Sequence, residues 1–230
     1  MPSRRGRPRP RRPIHSVPSD KIHIRVHHGD TSAVVCAPHG HDYFTAEIVE
    51  EICRITGLAG VTVRHLQDPR DADRRVNVNR PTEGAGLEPL DEHPTIEAAE
   101  AYADYLAAVV EAGRGSLPLY VEVHGNETQA HVEVATVGLG RERLAIKSTL
   151  SALPCGALVE GIDEIVKNGA AAKQHGVFRF VPRGVQIELP ESVRESRQGR
   201  AMAAHCIAKM LLALLSTKVG PTLARLFRAP

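Results

Sequence analysis

The chain has 230 residues, enough for one α/β domain of ordinary size or two small ones. Hydrophobic residues make up 42%, so a sizeable core can form, but aromatic residues make up only 3%, which leaves little for stacking on nucleic-acid bases. The net charge of +2 is uneven: Arg4, Arg5, Arg7, Arg9, Arg11 and Arg12 crowd the first dozen residues, and the remainder is mildly acidic.

Residues 1–19 are mostly Arg, Pro, Gly and Ser. Such a segment cannot offset its ordering entropy by burial, so it is predicted to be disordered, with 20–230 as a single α/β domain. A nucleic-acid-binding role for this tail is the alternative, and the missing aromatics weigh against it. Lys21 to His28 alternates and predicts an edge or hairpin strand. Ser32 to Pro38 predicts a buried central strand, Phe44 to Thr56 an amphipathic helix stopped by Gly57, and Val61 to Leu66 a second strand. That β-α-β order implies parallel pairing. A long polar loop follows, of the kind that is functional or mobile. Then come a helix over Thr95 to Gly113, strands over Leu117 to Val123 and His131 to Val137, and a helix over Gly138 to Leu153. A short helix is predicted over Glu160 to Lys167, strands over Phe178 to Val181 and Val185 to Leu189, and a long helix from Glu191 to Thr217.

Cys36, Cys53, Cys155 and Cys206 stand among apolar residues without a Cys-x-x-Cys pair, as free thiols in a reducing cytoplasm would. No run of about 18 apolar residues is present, so no membrane span or membrane partner is expected. The amino terminus lacks the apolar segment of a secretory signal.

Two strands end alike. Val34-Val35-Cys36-Ala37-Pro38 leads into His39-Gly40-His41-Asp42, and Tyr120-Val121-Glu122-Val123 leads into His124. Alone, the first hexapeptide also fits a polar turn. In a parallel sheet both ends share one edge, so His39, Asp42 and His124 can converge, and two imidazoles with one carboxylate form a catalytic zinc ligand set. Glu188 lies in an apolar strand, on the face opposite Ile187 and Leu189, either as a solvent-facing acid or as a base beside the metal. Arg74, Arg75, Asn79 and Arg80 populate the long loop, and a guanidinium binds a carboxylate through two parallel hydrogen bonds.

In this order, His39-x-x-Asp42, Asn79-Arg80, His124 and Glu188 resemble the pattern of the zinc carboxypeptidase/aspartoacylase superfamily. Within it, the Arg-x-x-x-x-Asn-Arg-Pro loop of 74–81, Val-His-Gly at His124 and Gln-Ile-Glu at 186–188 are most similar to N-formylglutamate amidohydrolase. The resemblance implies a mixed, mostly parallel central sheet flanked by helices, a phosphorylase/hydrolase-like three-layer sandwich. It implies one Zn2+ per chain on His39, Asp42 and His124, with Glu188 as base and acid. Asn79 and Arg80 would grip the carboxylate of a small-molecule N-acyl amino acid or peptide end, and Arg74 or Arg75 would stabilise the oxyanion, with Arg64 as an alternative. The peptidase and aspartoacylase branches usually carry Glu where this chain has Asp42, and His41 is an alternative ligand. A carboxypeptidase-like enzyme on peptides or poly-glutamyl chains and a non-catalytic homologue are the rival readings.

Overall fold

The computed structural model describes residues 22–39, 42–65, 76–83 and 93–216. Strands β1 (Ile22–His27) and β2 (Asp30–Ala37) are followed by helix α1 (Thr45–Thr56) and strand β3 (Leu58–His65). Helix α1 stops where expected, because Gly57 takes the left-handed conformation at φ 72° and its N–H bonds to the Cys53 carbonyl. Short strands β4 (Val76–Asn77) and β5 (Thr82–Glu83) pair with each other. Helix α2 (Ile96–Ala112) starts at Thr95, whose side chain accepts from the Ala98 N–H. Then follow β6 (Tyr120–Asn126), β7 (Val132–Val137), α3 (Arg143–Leu150), β8 (Ala157–Val159), α4 (Ala170–His175), β9 (Gly184–Pro190), α5 (Glu191–Arg194) and α6 (Arg197–Ser216).

The main sheet runs β1-β3-β2-β6-β9-β7-β8. Strands β3, β2, β6 and β9 are parallel, while β1 and β7 oppose their neighbours β3 and β9. This is the mixed, mostly parallel α/β sheet that was expected. From β2 the chain moves through α1 to β3 on one side, then through α2 to β6 on the other. The boundary between β2 and β6 is therefore a topological switch point, the place where open α/β sheets hold ligands beyond the carboxyl ends of their strands.

Strand alternation divides the interior into two cores. Val35, Val121, Val123, Val185, Ile187 and Leu189 face α1, α3 and α6. Val34, Cys36 and Tyr120 face α2 and the segment around Phe178. Glu122 and His124 share the face of Tyr120, and Gln186 and Glu188 stand beside them in register. One face of the central strands thus turns from apolar to polar towards the carboxyl edge.

Four elements differ from expectation. Phe178 lies in a 3-10 turn, Val177–Arg179, not a strand, and its ring packs on Tyr120 with centroids 5.1 Å apart. Glu160 to Lys167 is not helical. The Glu133 carboxylate takes the N–H groups of Val166 and Lys167, while Glu160 and Asp163 bind Lys173 and Lys147. Backbone donors satisfied by a distant carboxylate do not need a helix. The helix expected over 138–153 is confined to α3, Arg143–Leu150, and the last long helix is broken into α5 and α6. The three-residue β8 carries too little pattern to be foreseen. Helix α6 has the length and hydropathy of a membrane span, but it packs on α1 and α3.

Ile187 has no exposed surface. Ile187→Ala should lower the unfolding free energy by about 2–5 kcal/mol in a denaturant titration, the usual cost of a large-to-small core change.

Candidate metal centre

His39 leaves the end of β2, and Asp42 follows in the turn before α1. The Asp42 N–H bonds to the His39 carbonyl at 3.0 Å, and the Thr45 hydroxyl donates to the Asp42 carbonyl at 2.9 Å. The turn closes through Phe44, which holds a left-handed φ of 68°. That conformation costs a non-glycine residue about 1–2 kcal/mol and persists only where its surroundings enforce it. His124 arrives on β6, the strand beside β2. The Gly125 N–H donates to Asp42 Oδ2 at 2.9 Å, so β6 itself aims the carboxylate.

The structure brings the three residues together. His39 Nδ1 lies 3.3 Å from His124 Nδ1 and 3.4 Å from Asp42 Oδ2, and the third side of the triangle is 3.9 Å. Tetrahedral zinc with bonds of about 2.0–2.1 Å separates its ligand atoms by about 3.3–3.4 Å, so the donor set fits that ion in both chemistry and spacing. His41 lies outside the described residues, and Asp42 makes the triangle without it.

Each imidazole turns its other nitrogen to a fixed partner, as metal-binding histidines do. His124 Nε2 meets Glu122 Oε2 at 2.9 Å. Glu122 has no exposed surface and also accepts from the Asn79 amide at 3.1 Å and the Tyr120 hydroxyl at 2.5 Å. The Tyr105 and Tyr120 hydroxyls lie 2.8 Å apart and extend the network into α2. Burial raises the Glu122 pKa, but the hydrogen bonds from His124, Tyr120 and Asn79 and the His124 charge outweigh it and hold the carboxyl low. Burial lowers the His124 pKa, yet the bond to Glu122 and the charges of Glu188, Glu122 and Asp42 hold it up, at about 9.

His39 Nε2 lies 2.8 Å from Asn77 Oδ1 and 3.3 Å from Asn79 Oδ1. Asn79 therefore links His39 to Glu122, the partner of His124, and is 3% exposed. Asn77 serves two neighbours. Turned over, its oxygen would accept from Arg80 Nε and Nη2 at 2.7 and 2.9 Å, leaving its nitrogen towards His39. A histidine that offers Nδ1 to a metal carries its proton on Nε2 and needs an oxygen there. With Oδ1 towards His39, Asn77 would accept from a protonated Nε2, the tautomer that leaves Nδ1 open to a metal.

Glu188 pairs with His124 across neighbouring strands and is 7% exposed. Burial raises its pKa, opposed by the His124 charge and by a 2.7 Å hydrogen bond from the Gln186 amide. A carboxylate with a raised pKa beside a metal is suited to moving protons. Arg80 is half-buried next to Asn77, whereas Arg64 pairs with Glu47 and Glu50 of α1. Arg74 and Arg75 lie outside the described residues.

No protein-family model matches the chain, and no curated protein sequence does. Solved structures share its fold. A bacteriophage poly-γ-glutamate hydrolase matches with a TM-score of 0.53 and 17% identity, over 86% of this chain and 91% of that one. A zinc-free form of a protein described as YNDL matches with a TM-score of 0.53 and 16% identity, over 87% and 92% of the two chains.

Two outcomes follow from this geometry. Glu122→Gln should weaken zinc binding by about 10–100-fold in a chelator competition, the usual effect of losing an outer-shell carboxylate. His124 is protonated below about 9 and must release that proton to bind a metal, so apparent zinc affinity should rise with pH from neutrality and level off above that value. Titrations at several pH values with a fixed chelator would read this slope.

Proposed function

We propose that the chain is a zinc-dependent hydrolase of linear amide bonds beside a free carboxylate, acting on N-acyl amino acids of the N-formylglutamate type. The observation that carries this reading is the triangle of two histidine nitrogens and one carboxylate oxygen, with Glu188 on the adjoining strand in register with His124. Zinc held by His39, Asp42 and His124 would supply a water of lowered pKa and polarisation of the scissile carbonyl. Glu188 takes the proton from the attacking water and delivers it to the departing nitrogen as the carbon–nitrogen bond breaks. Gln186 holds one oxygen of that carboxylate and so fixes the direction in which the other works. Arg80 provides a guanidinium for the substrate carboxylate. Asn79, bonded to both Glu122 and His39, contributes by keeping the ligands in place.

A second reading is supported by the shared fold of the phage enzyme described as a poly-γ-glutamate hydrolase. A γ-linked glutamyl chain also offers an amide beside free carboxylates, so the same residues would serve. A panel of N-formyl and N-acetyl amino acids, short peptides and γ-glutamyl oligomers separates the two. Turnover of N-formylglutamate ahead of the oligomers supports the first reading, and the reverse order supports the second. Binding without turnover across the panel would sink both and leave a non-catalytic binder. Glu188→Gln should keep one zinc per chain and lose about 10²–10⁴-fold in turnover, the range for a general acid–base. Full activity in that variant would remove Glu188 from the mechanism.

A further inference from the structure

Arg194, at the end of α5, carries a full charge yet is only 3% exposed. A guanidinium keeps its proton when buried, so its donors must find acceptors. Its Nε donates to the Leu189 carbonyl at 3.0 Å, Nη1 donates to the Tyr43 carbonyl at 2.8 Å, and Nη2 reaches the Asn126 carbonyl at 3.5 Å. These carbonyls are not scattered. Tyr43 directly follows Asp42, Leu189 directly follows Glu188, and Asn126 stands two residues beyond His124. One rigid planar group therefore touches the main chain beside three of the four residues assigned to the centre.

Two neighbours are shaped around it. A Cβ at Gly125 would stand 2.7 Å from the Arg194 Cζ and Nη1, so the glycine after His124 leaves the space that the guanidinium fills. Arg200 donates to the Arg194 and Glu195 carbonyls at 2.7 and 2.8 Å, and its own guanidinium stacks 4.1 Å above the Phe44 ring. The corner between α5 and α6 thus braces the Asp42 turn twice, through Tyr43 and through the left-handed Phe44.

We propose that Arg194 is a positioning residue of the metal centre, holding Asp42, His124 and Glu188 at fixed separations through the main chain beside each. The inference rests on the zinc hydrolase reading above and is tested apart from it. In Arg194→Ala, zinc affinity should fall at least about tenfold by chelator competition, and kcat should fall about 10²-fold with KM changed less than about threefold, as displacement of a catalytic group by about 1 Å produces. Millimolar guanidinium should restore part of the loss. Arg194→Lys should not, because one ammonium cannot reach three carbonyls arranged for a fork. Wild-type zinc affinity and kcat in Arg194→Ala, or full function in Arg194→Lys, would overturn the proposal.

If Arg194→Ala does not fold, Gly125→Ala, which displaces the guanidinium, should show the same loss of zinc, and unchanged affinity there would overturn it. If the wild type binds no zinc and cleaves no amide, the hydrolase reading fails, and hydrogen exchange then decides the positioning role alone. The Gly125 amide, which bonds to Asp42, should exchange at least about tenfold faster in Arg194→Ala or Arg194→Lys while amides of α3 stay unchanged. Equal protection at Gly125 would reject the role.

Discussion

Glu122 is a carboxylate with no exposed surface, and an ionised carboxylate stripped of water is tolerated only when its lone pairs are filled. Tyr120, Asn79 and His124 fill them. Each donor belongs to a different part of the fold or commits one to a position. Tyr120 ties in α2 through Tyr105, Asn79 anchors the 76–83 segment, and His124 is oriented with Nδ1 towards His39. The loop, the helix and the ligand settle together because leaving any one of these bonds unmade would strand a buried charge.

Much of this centre could be foreseen for one reason. Valine-rich strands that end in histidine declare both their burial and their polar ends, and parallel pairing then places those ends on one edge. His39 and His124 fall under that rule, Asp42 follows His39 within the same turn, and Glu188 stands two residues before the end of its own apolar strand. Glu122 falls outside the rule, because it sits inside a buried strand where an acid looks like an interruption. A signal was nonetheless present: Glu122 and His124 are two residues apart and so share one face of β6. Arg194 had no comparable signal, since its partners are main-chain carbonyls, two of them from segments far away in the chain. The misread stretch at 160–167 failed for a related reason, with its donors and acids satisfied from elsewhere in the fold.

Asn79 changes character between sequence and structure. Beside Arg80 it reads as a substrate-gripping amide. In the fold it is buried, with its nitrogen on Glu122 and its oxygen facing His39. The Asn77-x-Asn79 pair therefore faces inward to the histidines, and Arg80 carries the loop's positive charge next to them. Amides turned to the histidine network and a guanidinium beside them thus alternate along one short segment.

The chain has no tryptophan and four tyrosines, which are Tyr43, Tyr102, Tyr105 and Tyr120. Tyr43 adjoins Asp42, Tyr105 and Tyr120 belong to the Glu122 network, and Tyr102 lies within the electrostatic reach of Glu122. Every phenol that absorbs in the near ultraviolet thus stands around the candidate centre. The protein carries its own optical probe there, with no chromophore of this kind elsewhere in the chain to mask it.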